Sequence, residues 1–123
     1  WPPQAESAIE WQNLTPTTIE QSRTAGRPLV LEFGAEWCIP CGEMARTTFV
    51  DPDVVRTSAH FSMVKADITE QNDDNDRLLQ QFDVRGVPTV LVYDAAGNEV
   101  GRLVGYTSAT ELLEVMRKAV AHS

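Results

Sequence analysis

Residues 35–44 read AEWCIPCGEM and hold the chain's only two cysteines, Cys38 and Cys41. A pair at this spacing can be a disulfide staple, half of a metal site, or a redox couple. The flanking residues discriminate. Leu29 to Gly34, LVLEFG, is a short apolar run suited to a central strand buried on both faces. A helix must then start near Cys38 and run through Met44 to about Phe49. Cys38 therefore falls where a strand gives way to a helix, and the free N–H groups and dipole of a helix start favour an anion. A thiolate is an anion, so Cys38 is expected to be the attacking sulfur. Cys41 lies one turn deeper on the same side, placed to attack a mixed disulfide formed at Cys38, which suits thiol–disulfide exchange. Pro40 stands in the first helical turn, where its missing N–H costs nothing.

The other two readings of the pair are weaker. A loop closed by near neighbours removes little entropy from the unfolded chain, and 123 residues can bury a core without a staple. A structural zinc site needs four ligands; there is no second cysteine pair, and His60 and His122 lack ligand spacing.

Composition narrows the function classes. The apolar fraction is 42% and the charged fraction 23%, an ordinary globular balance in one domain of common size. The formal net charge is −8, with no basic cluster, which argues against a nucleic-acid partner and an anionic membrane surface. Apolar runs are only a few residues long, so no direct membrane insertion is expected. The start, Trp1-Pro2-Pro3, has neither a basic nor an apolar leader region and no initiator Met, which predicts a processed protein or an excised domain.

Along the chain, residues 1–8 read as a linker or N-terminal extension and residues 9–122 as one domain. Ile9 to Asn13 suits a short strand. Thr15-Pro16 reads as N-cap and first residue of a helix to about Ala25, ended by Gly26 and Pro28. VDPDVV opens a capped helix from about Pro52 to Ala59. Phe61 to Ile68 is the next strand, and a helix ends near Phe82. Val90 to Tyr93 and Glu99 to Val104 form a hairpin, with Gly97-Asn98 in the turn. Ser108 caps a final helix with Leu112, Leu113, Val115, Met116 and Val120 on its inner side. Strands alternating with helices predict an α/β fold: a mixed sheet of about five strands covered on both faces.

Glu32 stands out as a carboxylate inside a run fit for burial. A buried unpaired charge is costly, so it should be protonated or paired, unless it faces solvent at an edge. Asp73, Asp74 and Asp76 lack the loop glycine and terminal glutamate of a calcium loop and read as a solvated loop and helix N-cap. His60 reads as a helix-end residue.

Two longer stretches carry a family resemblance. LVLEFGAEWCIPC, followed by VRGVPTVLVYDAAGNEVGRLVGY, resembles the thioredoxin family across nearly the whole chain. Within that family, EWCIPCGEMARTTFVDPDVV and KADITEQNDD are similar to the C-terminal periplasmic domain of DsbD-type disulfide reductases. The resemblance implies the thioredoxin fold, with Cys38 as nucleophile and Cys41 as resolving cysteine. It makes Glu32 the buried acid that relays protons to the resolving cysteine and Lys65 its partner on the next strand. Pro88 matches the cis-proline facing the disulfide, and Val87 would offer backbone hydrogen bonds to an extended substrate segment. Trp37 matches the tryptophan beside the nucleophile; the alternative is plain core packing, and both can hold. Trp37, Ile39, Pro40, Val87 and Pro88 thus make up the expected substrate-binding set. Gly42 departs from the usual lysine of thioredoxins, and Ala45 from a second acid of some DsbD-type domains.

The expected function is reduction of protein disulfides in a DsbD-type electron relay. The alternatives are a redox-inactive peptide-binding module, or an oxidant or isomerase of the same fold. The redox-active disulfide Cys38–Cys41 stands in for any organic cofactor or metal. Expected partners are protein thiols and disulfides, among them a membrane-embedded electron donor and periplasmic acceptors. The chain is expected to be monomeric and periplasmic, including as a domain of a membrane protein, with the cytoplasm as the alternative compartment.

Overall fold

A computed structural model of the protein describes residues 8–121. The expected linker up to residue 7 and His122 lie outside the described residues. The sheet has five strands: β1 (Trp11–Asn13), β2 (Leu29–Gly34), β3 (Ser62–Asp67), β4 (Thr89–Tyr93) and β5 (Glu99–Val104), in the order β1-β3-β2-β4-β5. β3 runs parallel to both β1 and β2, while β4 is antiparallel to β2 and β5. Five helices complete the fold: α1 (Thr18–Thr24), α2 (Ile39–Arg46), α3 (Pro52–Ser58), α4 (Asp73–Gln81) and α5 (Ala109–Ala121). The expected mixed sheet with helices on both faces is therefore the observed architecture.

The two faces carry separate cores, divided by the two-residue period of the strands. Val30, Val90, Val92 and Met63 pack with Met44, Phe49, Val54 and the α5 residues Leu112, Leu113, Met116 and Ala119. Leu29, Leu31, Phe33, Val64 and Leu91 pack on the other side against Ile19 of α1 and Leu78 and Leu79 of α4. β2 is buried on both faces, as its largely apolar run predicts.

Helix starts follow the sequence signals at α3 and α5 and depart from them at α4 and α1. Asp51 Oδ2 accepts the N–H groups of Asp53 and Val54 at 3.0 and 3.1 Å, and Pro52 opens α3. Asn72 Oδ1 accepts from Asn75 N–H at 2.8 Å, so the acidic run supplies the first turn of α4 rather than its cap. Ser108 and Glu111 exchange bonds at the start of α5: Ser108 N–H to Glu111 Oε1 at 2.9 Å, Glu111 N–H to Ser108 Oγ at 3.2 Å. α1 starts after Thr17 rather than at Thr15-Pro16. Thr18 Oγ1 donates to Thr15 O and accepts from Thr15 N–H, closing a separate turn before the helix begins.

Two ends also differ from expectation. α2 stops at Arg46 because Thr47 leaves helical geometry (φ −125°, ψ −69°), and a 3-10 turn, Thr48–Val50, carries the chain to Asp51. Val120 is 42% exposed in the last turn of α5, and Ala119 makes the inward contact.

α5 crosses β5 at Gly101. A Cβ there would lie 2.2 Å from Val115 Cγ1, a separation only glycine avoids. Gly101→Ala should therefore destabilise the fold by about 1–3 kcal/mol, the usual range for overpacking. Urea unfolding should show a lower midpoint at unchanged slope, and Val115→Ala in the same chain should restore most of the loss.

Candidate functional site

β2 ends at Gly34, and four residues later Cys38 forms the N-cap of α2. Cys38 is bonded to Cys41 in a disulfide, and both are largely buried, at 7% and 9% exposure. Cys38 has extended geometry, and its Sγ accepts the N–H of Cys41 at 3.2 Å. That N–H is one of the unpaired donors of a helix start, which a sulfur anion would also satisfy. Gly34 lies directly against the disulfide: a Cβ there would make an ordinary van der Waals contact with Cys41 Sγ, at 3.5 Å.

Outside the disulfide, Ile39 is 77% and Trp37 56% exposed, so the core-packing reading of Trp37 is corrected. Its position is fixed by hydrogen bonds instead. The indole N–H donates to Thr69 O at 3.1 Å, and Glu36 N–H donates to Thr69 Oγ1 at 2.9 Å. The Thr69 hydroxyl and N–H both point to Asp67 Oδ1, leaving an oxygen lone pair for Glu36. The Val87–Pro88 peptide bond is cis. Thr89 pairs with Phe33, so Pro88 stands at the same end of the sheet as the turn that carries Cys38. Pro88 is buried, while Val87 and Pro40 are half-buried.

Inside the disulfide lies an open cavity of about 740 Å³. Cys38, Cys41, Glu32, Lys65 and Trp11 line it. Strand period puts Glu32 on the α2 side of β2, next to Lys65 in the register of β3. Glu32 is 7% exposed, so the surface reading fails. Burial pushes its pKa above the ordinary carboxyl value, and the positive charge of Lys65 pulls the other way. Lys65 is exposed, with Nζ 5.2 Å from the centre of the Trp11 ring.

The structure thus gathers Cys38, Cys41, Glu32 and Lys65 about one cavity and leaves Trp37, Ile39, Pro40, Val87 and Pro88 outside it. His60 is exposed on the surface after α3 and does not line it. Sequence reasoning missed Thr69 and Trp11. The polar DITEQN run carries no signal that its threonine will clasp Trp37, and Trp11 meets Lys65 only through strand pairing. Among the described residues, no group of three or more His, Cys, Asp or Glu could hold a metal. No described helix is long and apolar enough to cross a membrane.

A disulfide at the first turn of a helix, with a cis-proline at the same end of a five-stranded mixed sheet, defines a protein of the thioredoxin class. The chain belongs to the thioredoxin-like domain family, whose sequence pattern matches residues 15–120. It is 33% identical over 111 residues to the thiol:disulfide interchange protein DsbD of Yersinia pestis, covering 89% of this chain and 19% of that protein. It is 36% identical over 103 residues to DsbD of Ralstonia nicotianae, covering 83% of this chain and 17% of the relative. The chain therefore spans about a fifth of the length of the curated relatives it matches. Among solved structures, the oxidised C-terminal domain of Neisseria meningitidis DsbD is similar at TM-score 0.73 and 27% identity, covering 90% of this chain and 100% of that one. A thioredoxin from Thermus thermophilus is similar at TM-score 0.74 and 27% identity, covering 90% of this chain and 86% of its own.

The raised pKa of Glu32 has a stability consequence. A group whose folded pKa lies above its unfolded value contributes stability below the unfolded pKa, and that contribution is lost as pH rises through the folded pKa. Glu32→Gln removes the ionisation, so the variant should gain stability relative to the parent from pH 4 to pH 8. Urea unfolding of both proteins across that range checks the sign, and carboxyl titration by NMR checks the shift itself.

Proposed function

We propose that this chain reduces protein disulfides as a terminal redox domain of the DsbD type, with Cys38 as nucleophile and Cys41 as resolving cysteine. The observation that carries this reading is the position of Cys38 as N-cap of α2. Its sulfur accepts the Cys41 N–H, with exposed Ile39 and Trp37 outside and the Glu32 cavity inside. The resemblance to proteins named for thiol:disulfide interchange supports it.

In the reduced domain, the Cys38 thiolate attacks one sulfur of a substrate disulfide. A mixed disulfide forms, and the other substrate sulfur leaves as a thiolate that takes up a proton. Cys41 then loses its proton to ionised Glu32 across the cavity, and its thiolate attacks Cys38 Sγ. The Cys38–Cys41 bond closes and the second substrate sulfur departs, so two electrons have passed to the substrate. A partner dithiol must return two electrons before the next cycle. Lys65 steadies the ionised form of Glu32. Trp37, Ile39, Pro40, Val87 and Pro88 make the face that receives the substrate segment, with the Val87 backbone pairing to it as an added strand. No organic cofactor or metal enters these steps.

In the further proposal, residues 9–122 form this domain and residues 1–8 a linker. The domain works in the periplasm as a monomer, fed by a membrane-embedded donor and emptied by periplasmic acceptor proteins.

Catalysis of insulin reduction by dithiothreitol tests the activity. The parent chain should accelerate precipitation of the insulin B chain, and Cys38→Ser should fall to the uncatalysed rate. Cys41→Ser should instead accumulate a mixed disulfide through Cys38, identified by mass after peptide mapping. A trapped adduct on Cys41 in Cys38→Ser, with none on Cys38 in Cys41→Ser, would reverse the assignment.

Direction follows from the dipeptide between the cysteines. Ile39 and Pro40 carry no charge and add nothing to the helix dipole in stabilising a thiolate. A less stabilised thiolate favours the disulfide and makes the potential more negative. Equilibration with glutathione should give a value nearer about −270 mV, typical of thioredoxin, than about −120 mV, typical of a strong oxidant. A value above about −160 mV would make the domain an oxidant.

A further inference from the structure

We propose that Trp11 is a positioning residue of the redox site, holding the Lys65 ammonium in the cavity that Glu32 shares with Cys41. The inference rests on the exchange chemistry proposed above. Nothing in that chemistry requires an aromatic residue on the edge strand β1, yet one lines the cavity. Pairing of β1 with β3 sets Asn13 beside Lys65, and β2 pairing sets Glu32 on its other side. Lys65 thus stands between an edge strand and the central acid.

Its side chain has two places to go. It is exposed, and water solvates an ammonium well, so a lysine of this kind would ordinarily extend outward. Here Nζ lies over the face of the Trp11 ring, 5.2 Å from its centre, within the range of a cation–π contact. The ring is fixed in turn. It meets Phe49 edge to face, with centroids 5.1 Å apart and planes at 81°, and Phe49 is 3% exposed in the core below α2. The indole is therefore braced by a core ring and has one face turned to a cation.

The consequence falls on Glu32. The titratable and charged side chains lining the cavity are Glu32, Glu36, Lys65, Asp67 and the two cysteines, and Lys65 is the one cation among them. If the ammonium leaves for solvent, Glu32 loses the opposing charge and keeps its desolvation. Its protonated form then persists to higher pH, and the proton step at Cys41 moves with it.

The test is titration of the Glu32 carboxyl by NMR in the oxidised protein, which requires no enzymatic activity. Trp11→Leu should raise the Glu32 midpoint by about 0.3–0.7 pH unit, the scale of a lost exposed cation–π contact. Trp11→Phe, which keeps a ring, should lie between Trp11→Leu and the parent. In a Lys65→Met background, Trp11→Leu should leave the Glu32 midpoint unchanged, because the ring acts through the ammonium. An equal shift in that background, or none in the parent, would overturn the proposal. A measurement on the parent alone guards against a variant that fails to fold: the Lys65 Hε protons should be shifted upfield by the indole ring current, and ordinary lysine shifts would also overturn it. In the reduced protein, the pH profile of insulin reduction should move upward with the Glu32 midpoint in Trp11→Leu. Loss of all exchange activity with the NMR shifts intact would count against the proposed function and not against the role of Trp11.

Discussion

β2 is covered on both faces, and a strand buried that way has no free side for a polar residue. Its period sends Leu29, Leu31 and Phe33 into one core and Val30 and Glu32 towards the other. The carboxyl therefore faces the side of the sheet on which α2 lies. A one-residue slip of register would send Glu32 into the leucine-rich core and three apolar side chains into the cavity. That slip is resisted by pairing on both sides, with β3 at six positions and with β4 at five. The location of the acid under the disulfide is thus a property of the whole sheet.

Two electrostatic effects then compete at one carboxyl. Burial disfavours the ionised form, and Lys65 favours it; burial is the larger, so the acid titrates above its ordinary range. The balance matters to the proposed proton step, in which the lysine is not locked to the acid. A close buried ion pair would hold the carboxylate ionised and make it a poor proton acceptor at neutral pH, since a base transfers best when its pKa lies near the working pH. With Lys65 resting on an aromatic ring instead, its charge tempers the rise in the Glu32 pKa without cancelling it. At the other end of the site, the proposed Cys38 thiolate would draw on a helix terminus, whose stabilisation of charge is about 0.3–1 kcal/mol at an exposed position and rises to about 2 kcal/mol when partly buried.

Much of this was legible in sequence because local rules and tertiary packing agree. LVLEFG is too short and too apolar to be anything but a buried strand, and the cysteine pair after it can only open a helix. Asp51-Pro52 and Ser108 with Glu111 announce their helices through chemistry within four residues. Illegible features depend on contacts that no short window contains. Trp37 looks like a core residue by type, yet its exposure follows from Thr69, in sequence far beyond it, taking the indole N–H. Trp11 resembles any strand aromatic until β1 pairs with β3 and brings it to Lys65. Thr15-Pro16 misleads because Thr18 offers the backbone a competing side-chain bond, which no propensity scale weighs.

The TTF segment after α2 gains a physical role once its partners are known. Thr47 Oγ1 donates to Glu43 O at 2.8 Å, so its contact with Tyr106 at 2.9 Å must be donated by the tyrosine hydroxyl. Thr48 Oγ1 donates to Thr107 O at 2.6 Å in the interior. Just before them, Gly105 turns the chain at φ +84° and donates its N–H to Pro88 O at 2.8 Å. Three consecutive residues, Gly105 to Thr107, thereby tie the cis-proline to the far end of the helix that begins at Cys38. Each bond contributes on the order of 1 kcal/mol net, the buried one more if broken, since its partner would be left unsatisfied. A displacement of the Pro88 backbone would have to strain or break these contacts unless α2 moved with it. The cysteine pair and the proline loop come from opposite halves of the chain, and this short loop after β5 links the proline to the end of the cysteine helix.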